Sequence, residues 1–379
     1  MAEKAHNFKI GVIMNLTAVV EVTENCNLEC TFCLRNSFKS EIMTLKTLEK
    51  IISHVLNFST DRVDFIWHGG EPLIAGIDFF KRVKELQNKY NKNNLKIVNN
   101  VQTNAILLNE DFIKFFEKEG FIIGTSIQGT KRIHDSSRVD NLGNPTFERV
   151  IKNISKLKKK PSAIIVLTKQ ILGKEKPIYK EMKKYTSGFR ISEYFPKNKL
   201  DLTSKDTKLM PTPREYAKSM MRFYNLWKKD KNPIEIRPIT EFIRGMIKGQ
   251  CGGCLYSQKA CNFSVIGVDH KGDFYTCMRS FGNKRYFFGN VSDRPLSKRT
   301  KISKNNMSER LYPLKNKECK DCRFWNQCNG GCPQESLSLY GDIIHKAFYC
   351  NGRKILFEEI EKDLGGKDGI SRILQTQKS

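Results

Sequence analysis

The stretch TAVVEVTENCNLECTFC, residues 17–33, joins a β-rich run to three closely spaced cysteines. Cys26, Cys30 and Cys33 follow that run at a C-x3-C-x2-C spacing. Three thiolates in so short a loop suit an iron–sulfur cluster, in which each thiolate coordinates one iron of a four-iron cube. The remaining iron then has no protein ligand and is open to a small molecule. The segment therefore predicts a catalytic iron–sulfur site directly after the first strand.

The same alternation of β-rich and helical patterns continues through the first half of the chain. Strands are predicted at residues 17–23, 62–68, 96–103, 121–127, 163–168 and 189–195, and helices at residues 45–56, 78–90, 110–119, 146–157 and 176–185. The helical stretches carry apolar residues three and four positions apart. Six β-then-α repeats predict an α/β fold in which a parallel sheet curls into a partial (β/α)6, TIM-like barrel. We expect the active face at the carboxyl ends of the strands, where the cysteine triad lies.

The pattern changes from about residue 204. Thr212, Pro213 and Glu215 predict a helix start. After Gly249 the chain holds nine of its twelve cysteines and little apolar sequence, which predicts a metal-stapled region without its own core. The predicted organisation is a barrel over 1–203, a helical bridge over 204–248, a cysteine-rich domain over 249–360 and a tail over 361–379. The tail is predicted to be one amphipathic helix or a frayed end.

Composition narrows the classes of protein to which the chain can belong. Its 379 residues are 39% hydrophobic, yet no apolar run approaches the ~20 residues that a membrane span needs. The first residues lack the basic-then-apolar layout of a secretion signal. We therefore expect a cytoplasmic protein with no membrane partner. In a reduced compartment, twelve cysteines favour metal ligation over disulfides.

The strong positive charge is a second general feature. Lys and Arg number 66 against 40 Asp and Glu, giving a net charge of +26. The basic residues are spread along the chain, and no motif that reads a nucleic-acid groove accompanies them. A solvated basic surface is the favoured interpretation, and nucleic acid is not expected as a partner. An acidic peptide substrate would be attracted to such a surface.

With Phe32 placed before its last cysteine, the triad resembles the motif of the radical S-adenosylmethionine superfamily. A GGEP segment after the second predicted strand also matches that family; it is formed by Gly69, Gly70, Glu71 and Pro72. The resemblance implies that the cluster binds S-adenosylmethionine and that the pair abstracts a hydrogen atom from an unactivated C–H bond. It implies cofactor contacts for the GGEP segment, whose glycines would let the backbone approach a ligand closely.

Three further cofactor contacts follow from the same resemblance, position by position. Asn104 follows the third predicted strand and Ser126 the fourth, where related enzymes touch the cofactor. Arg138, in the string HDSSR, is the expected partner of the cofactor carboxylate. The catalytic base is not identified by any of these motifs.

The later cysteines resemble the SPASM extension, which carries two auxiliary 4Fe–4S clusters in peptide-modifying radical enzymes. By that pattern a distal cluster is held by Cys319, Cys322, Cys328 and Cys350. A nearer cluster is held by Cys261, Cys277 and Cys332 together with one upstream thiol. Cys251 and Cys254 compete for the upstream place, and the resemblance favours Cys254, whose spacing to Cys261 is nearer to that of sulfatase-maturating relatives. The resemblance thus implies three 4Fe–4S clusters in all.

A different class of protein is also consistent with the later cysteines. Pairs at C-x2-C spacing, such as Cys319 with Cys322, suit zinc ribbons as well. The alternative is a non-catalytic, zinc-stapled protein that binds nucleic acid through its lysines. The radical-type triad in the same chain favours the enzyme.

The substrate is the least determined part of the prediction. Residues 134–150, HDSSRVDNLGNPTFERV, look similar to anaerobic sulfatase-maturating enzymes, which oxidise a Cys or Ser of a target protein to formylglycine. In that group an acidic base follows the cysteine that matches Cys277, whereas here the residue is Met278; Gln128 likewise replaces an Asp. Because this oxidation needs a base, we predict a maturase of ribosomal peptides that installs a crosslink, a thioether or an epimerised residue. Formylglycine formation is the alternative, and a reductant such as flavodoxin or ferredoxin is the expected protein partner.

Overall fold

The computed structural model describes residues 13–34, 41–196, 204–251, 261, 264–293 and 296–365. Its strands are β1 (Ile13–Glu21), β2 (Leu28–Cys30), β3 (Ser59–His68), β4 (Lys96–Thr103), β5 (Ile122–Ser126), β6 (Arg138–Asp140), β7 (Ser162–Leu167), β8 (Gly188–Glu193), β9 (Glu235–Arg237), β10 (Val265–Val268), β11 (Asp273–Tyr275) and β12 (Phe287–Asn290). Its α-helices are α1 (Leu45–Asn57), α2 (Gly76–Tyr90), α3 (Glu110–Glu119), α4 (Lys131–Asp135), α5 (Phe147–Ile154), α6 (Glu175–Tyr185), α7 (Ser204–Leu209), α8 (Pro213–Lys229), α9 (Ile239–Lys248), α10 (Leu296–Asn316), α11 (Trp325–Cys328), α12 (Pro333–Tyr340) and α13 (Cys350–Gly365). The tail helix predicted near the end of the chain lies outside the described residues.

Ten of these strands form one sheet in the order β12-β11-β10-β1-β3-β4-β5-β7-β8-β9. All neighbours from β10 to β9 are parallel, whereas β11 and β12 are added antiparallel. The predicted α/β fold is confirmed, since β1, β3, β4, β5, β7 and β8 are the six expected strands. The strand order has two ends, so the sheet is not a closed barrel, which agrees with the predicted partial barrel. The predicted bounds of β4 and α3 coincide with the observed ones.

Four strands of the sheet, β9 to β12, were not predicted. β10 pairs with β1 from Thr17 opposite Val265 to Val20 opposite Val268. The cysteine-rich half of the chain is therefore joined by hydrogen bonds to the first strand of the barrel. β9 and β11 have three residues each, too few for an alternating pattern to show in the sequence.

The two faces of the sheet differ in burial. In β3, fully buried Val63, Phe65 and Trp67 alternate with half-buried neighbours, and β7 and β8 show the same alternation. Successive side chains of a strand point to opposite faces. One face therefore packs under the helices, as the edge-on contact of Trp67 with Phe79 of α2 shows. The other, inner face is partly open and carries polar residues.

The apolar core is continuous across the chain. Val20 of β1, Phe80 of α2, Ile266 of β10 and Phe357 of α13 belong to one cluster of buried side chains. Buried residues of the cysteine-rich region belong to this same cluster, and the described part of that region has no separate apolar core, as the sequence predicts. That the region packs against the barrel core was not predicted. The proposed division of the chain into four segments stays a prediction. No helix within the described residues is long and apolar enough to cross a membrane.

The predicted helix start at Thr212 is confirmed. The Thr212 hydroxyl accepts from the main-chain N–H of Glu215 at 3.2 Å, and the Glu215 carboxylate accepts from the N–H of Thr212 at 2.8 Å. This reciprocal capping box satisfies two main-chain donors that a helix end would otherwise leave unpaired. Pro213 occupies the first helical position, where no N–H is needed.

Candidate active site

A two-stranded ribbon positions the cysteine triad. β2 pairs antiparallel with β6, and the register sets Cys30 directly opposite Arg138. Side chains directly opposite each other on one face of such a pair lie close together. The ribbon therefore explains why an arginine more than a hundred residues away in sequence belongs to the loop that carries Cys26, Cys30 and Cys33.

The three thiols influence one another and sit among hydrogen-bond donors. Burial raises the pKa of Cys26 to about 12, and the thiols of Cys30 and Cys33 add to this effect. The N–H of Leu28 donates to Cys26 and opposes the shift, and the Asn104 amide donates to the same sulfur at 3.8 Å. Burial also raises the pKa of Cys30. Thiols of this kind are protonated when free and lose their protons when they bind metal.

The surroundings of the Arg138 side chain suit the binding of an anion. Its Nη1 donates to the Cys30 sulfur at 3.5 Å, and its guanidinium lies over the Phe32 ring, 4.8 Å from the ring centre. Its Nε is buried and has no hydrogen-bond partner among the described residues. An unsatisfied buried donor is costly, so a carboxylate at this place would complete the site. The residues present therefore fit a cluster-bound S-adenosylmethionine, the ligand that the sequence predicts.

The glycines of the GGEP segment serve chain packing. A Cβ on Gly70 would lie 2.0 Å from the carbonyl oxygen of Asn25, and one on Gly69 would lie 2.4 Å from that of Thr23. The N–H of Gly70 donates to Thr23 and the N–H of Glu71 to Asn25, both at 2.8 Å. The segment thus holds the start of the cysteine loop by its main chain. The structure thus gives these glycines a reason that the sequence did not, close approach to the loop; their contact with the cofactor stays a prediction.

The Glu71 carboxylate is fully buried and accepts hydrogen bonds from groups of the protein itself. Its Oε1 accepts from the Thr103 hydroxyl at 2.7 Å and from the N–H of Leu73 at 3.0 Å, and its Oε2 accepts from the N–H of Asn104 at 2.7 Å. Burial raises the pKa of Glu71 to about 7, and the three donors oppose that shift. The carboxylate joins the ends of β3 and β4, and its role as a cofactor contact stays a prediction.

A Glu71→Gln variant tests this structural role. An amide offers one acceptor oxygen, so at least one of the three donors would face an NH2 group. We expect the free energy of unfolding to fall by about 1–3 kcal/mol for each donor left unsatisfied. Urea denaturation compared with the exposed control Glu85→Gln measures this loss. Equal stability of the two variants would contradict the assignment.

The other predicted cofactor contacts lie at the same edge of the sheet. The Asn104 amide donates to Asn27 Oδ1 at 2.7 Å, so it also orders the cysteine loop. Ser126 ends β5 on the inner face, half-buried, where it accepts a hydrogen bond of 3.4 Å from Gln102. Pro72 is buried and begins a short 3-10 helix. All three are within the predicted region, and their contact with a cofactor stays a prediction.

Sequence reasoning missed a chain of buried hydrogen bonds that links Gln128, His134 and Thr146 to the main chain of Arg138. The N–H of Gln128 donates to His134 Nδ1 at 3.2 Å, so Nε2 carries the proton and donates to the Thr146 hydroxyl at 3.1 Å. That hydroxyl donates to the Arg138 carbonyl at 2.6 Å. The Gln128 side-chain amide also donates to the Val166 carbonyl at 2.6 Å and accepts from the N–H of Val166 at 3.0 Å. An aspartate at position 128 could not donate to the Val166 carbonyl, which explains the departure noted in the sequence.

A His134→Gln variant tests the contribution of this hydrogen-bond chain to stability. Burial and the nearby Arg138 charge lower the pKa of His134 from 6.5 to about 3, so the folded protein holds it neutral. Near pH 7.5 we expect the variant to lose about 1–3 kcal/mol of unfolding free energy. Below pH 6.5 the unfolded histidine takes up a proton that the folded one refuses, so the wild type loses stability as the pH falls. The difference between the two proteins should therefore narrow near pH 5.5, and a difference that widens would contradict the assignment.

Three of the thiols predicted for the nearer auxiliary cluster lie in one region. Burial raises the pKa of Cys277, and the Cys332 thiol raises it further. Burial also raises the pKa of Tyr286, and the thiols of Cys332 and Cys261 add to that shift. Main-chain N–H groups of Gln334 and Glu335 donate to Cys332, and those of Met278 and Arg279 donate to Cys277. Such donors stabilise cluster sulfurs. Cys254, the preferred upstream ligand, lies outside the described residues.

The four thiols predicted for the distal cluster surround one cavity. It is lined by Cys319, Cys322, Cys328 and Cys350 together with Phe324, Trp325, Gly330, Lys354 and Phe357. The rival upstream cysteine, Cys251, contributes to the raised pKa of Cys328, which places it toward this distal set. The thiols present therefore fit a cluster with four cysteine ligands.

No group of three or more His, Cys, Asp or Glu side chains in the described part of the chain is arranged to hold a metal ion. One zinc ion draws its ligands to about 2.0–2.3 Å, whereas a four-iron cube keeps each thiolate on a different iron. The fit to clusters consequently rests on the grouping of the thiols and on the donors around them.

Comparisons with known proteins agree with this geometry. Residues 20–175 match the sequence model of the Radical SAM superfamily. The chain is 29% identical over 358 residues to the cysteine-type anaerobic sulfatase-maturating enzyme of Clostridium perfringens, covering 89% of this chain and 93% of that protein. It is 28% identical over 345 residues to the serine-type enzyme of Bacteroides thetaiotaomicron, covering 84% and 82%.

Solved structures show the same relationship. The structure of native anSMEcpe with bound AdoMet and Cp18Cys peptide matches with a TM-score of 0.81 and 27% identity, covering 92% of this chain and 97% of that one. Streptococcus suis SuiB bound to precursor peptide SuiA matches with a TM-score of 0.63 and 16% identity, covering 90% and 76%. The second likeness is one of fold alone.

Proposed function

We propose that this chain, a radical SAM enzyme whose radical SAM domain covers residues 20–175, oxidises a cysteine or serine residue of a protein or peptide substrate. The sequence alone favoured a maturase of ribosomal peptides and kept this oxidation as the alternative. The comparisons favour the alternative. What carries the proposal is the similarity to sulfatase-maturating enzymes along nearly the full length of both chains.

The cofactor set follows from the thiol groups. Cys26, Cys30 and Cys33 would hold the cluster that binds S-adenosylmethionine, and the two later cysteine sets would hold two auxiliary clusters. When bound, the first cluster and S-adenosylmethionine supply the abstraction of a hydrogen atom from an unactivated C–H bond. A preparation with all three clusters would contain about twelve irons per chain. Flavodoxin or ferredoxin remains the proposed reductant.

Arg138 is the chain's own contribution to cofactor orientation. Its buried Nε is directed by the stacking on Phe32 and by the main-chain contact to Thr146. A guanidinium fork matches the geometry of a carboxylate, and a buried cation near the cluster would favour the bound anion. We therefore propose that Arg138 binds the carboxylate of S-adenosylmethionine.

The substrate would lie across the inner face of the sheet. His68, Ser126 and Ser192 are half-buried at the carboxyl ends of β3, β5 and β8 on this face. The main chain of Met278 lies beside β10, since a Cβ on Gly267 would lie 2.6 Å from the Met278 nitrogen. Polar groups beside an open face can bind the main chain of a peptide, which agrees with a substrate that is a segment of a larger molecule.

One observation favours a second candidate. Met278 has no ionisable group, so it cannot remove a proton from a substrate thiol or hydroxyl. Crosslinking or epimerisation of a ribosomal peptide, the product class first predicted from the sequence, remains the second candidate function. Under the first candidate a different group must accept the proton.

Anaerobic incubation of the reduced enzyme and S-adenosylmethionine with matched sulfatase-type peptides, which differ only in Cys or Ser at the target position, tests the proposal. An aldehyde that reacts with a hydrazide probe supports the first candidate. A crosslinked product that has lost the mass of H2 without forming an aldehyde, or a product of unchanged mass that contains an inverted residue, supports the second. Met278→Asp should raise the aldehyde yield if the methionine limits proton removal. Absence of 5′-deoxyadenosine in every reaction would overturn both candidates.

A further inference from the structure

A short loop connects the two auxiliary cysteine sets. Cys328 of the distal set and Cys332 of the nearer set are separated only by Asn329, Gly330 and Gly331. All three intervening residues have positive φ, 51°, 76° and 76°, a conformation that side chains other than glycine rarely adopt. The two sets are therefore held close together by a tightly wound turn.

The side chain of Arg310, in α10, hydrogen-bonds this turn from the protein interior. Its side chain is 1% exposed, and its Nη2 donates to the carbonyls of Gly330 at 2.8 Å and Gly331 at 3.1 Å. Its Nη1 donates to the carbonyls of Ile343 and His345, the latter at 2.9 Å. All of these acceptors are neutral. Within the described residues, no carboxylate lies at salt-bridge distance from Arg310.

A buried charge without a counter-charge is costly. Burial lowers the pKa of Arg310, and the thiols of Cys332, Cys261 and Cys328 oppose that shift, as does the more weakly acting Glu335 carboxylate. The guanidinium therefore lies near members of both sets. Clusters ligated by cysteine thiolates carry net negative charge, which would supply the missing counter-charge on both sides of the turn. The neighbouring Arg353 differs, because Glu193 and Glu335 pair with it at 3.2 and 2.7 Å.

We propose that Arg310 is the shared counter-ion of the two auxiliary clusters and raises the reduction potential of both. The inference rests on the proposed cofactor set and goes beyond it by naming the group that tunes it. Each cluster takes up one electron, with no bond made or broken. A fixed cation nearby stabilises the reduced, more anionic form, so the midpoint potential rises. Glu335, buried beside Cys332, should have the opposite effect on the nearer cluster.

A redox titration with dithionite, followed by electron paramagnetic resonance, tests this. The full-length chain carries Cys26→Ala, Cys30→Ala and Cys33→Ala, so that only auxiliary clusters remain. Arg310→Gln should shift both midpoints to more negative values, and Arg310→Lys should leave them near those of the parent. Glu335→Gln should shift the nearer midpoint upward. Arg82→Gln removes the same charge from the exposed face of α2 and should change neither.

Iron content separates the possible failures. The parent should hold about eight irons per chain; a parent without auxiliary iron would overturn the proposed cofactor set itself. Unchanged midpoints in fully loaded Arg310→Gln would overturn the counter-ion alone. If Arg310→Gln does not load, a loaded Arg310→Lys with unchanged midpoints supports the proposal, since charge then suffices. If neither variant loads, the role of Arg310 is to hold the carbonyls, and the proposal fails.

Discussion

A Gly70→Ala variant is expected to lose the N-terminal cluster while the rest of the chain keeps its iron. The added Cβ would lie 2.0 Å from the Asn25 carbonyl oxygen and 2.4 Å from that of Glu24. Both are main-chain atoms of the cysteine loop, so no flexible side chain can move aside. Either the loop or the end of β3 must shift, and the N–H of Gly70 would no longer reach Thr23. We expect iron to fall by about four atoms per chain and formation of 5′-deoxyadenosine to be abolished.

The control for this variant is Gly365→Ala. A Cβ on Gly365, in the last turn of α13, would meet no atom of the described residues within 4 Å. Iron content and activity of that variant should match the wild type. Full iron and activity in Gly70→Ala would show that the GGEP segment does not hold the loop as described.

An Arg138→Gln variant should bind S-adenosylmethionine far more weakly. Removing one partner of a buried charge pair that is also hydrogen-bonded costs about 2–5 kcal/mol, which corresponds to a loss of affinity of about thirty- to several-thousand-fold. Arg138→Lys keeps the charge but not the planar fork, so its loss should be smaller. Titration of the reduced cluster with S-adenosylmethionine, followed by its electron paramagnetic resonance signal, measures the affinity.

Two results make this prediction specific. Arg132→Gln removes a cation from an exposed position on α4 and should leave the affinity unchanged. Iron content in Arg138→Gln should stay close to that of the wild type, because the contact to Cys30 is one long hydrogen bond of 3.5 Å. Unchanged affinity in the presence of full iron would remove Arg138 from the cofactor site.

The barrel could be predicted because its elements are long and their patterns are local. β4 and α3 begin and end where the sequence places them, since eight or more residues repeat one period. The capping box at Thr212 is equally local, as its partners are three residues apart. The predicted cysteine sets are of the same kind: spacing alone groups Cys319, Cys322 and Cys328, and the structure places them around one cavity.

The same reasoning fails where a residue's role is set by something distant in sequence. In the sequence Gln128 is a departure from a family turn, whereas in the structure its side-chain amide hydrogen-bonds the main chain of Val166 on another strand. Arg310 carried no signal, because its partners lie twenty or more residues away. Arg138 differs from both, since the resemblance carried by the string HDSSR predicts it as the partner of the cofactor carboxylate.

The amino-acid sequence by itself determined the alternation of strands and helices, the parallel sheet and the grouping of thiols that predicts iron–sulfur chemistry. Only the tertiary structure decided that β10 extends the sheet beside β1 and that Arg310 lies between two cysteine sets. It also decided that position 70 must be glycine, because the Asn25 carbonyl leaves no room for a Cβ. The physical reason is range. Periodicity and ligand spacing act over a few residues, whereas backbone contact and buried charge depend on which distant segments the fold brings together.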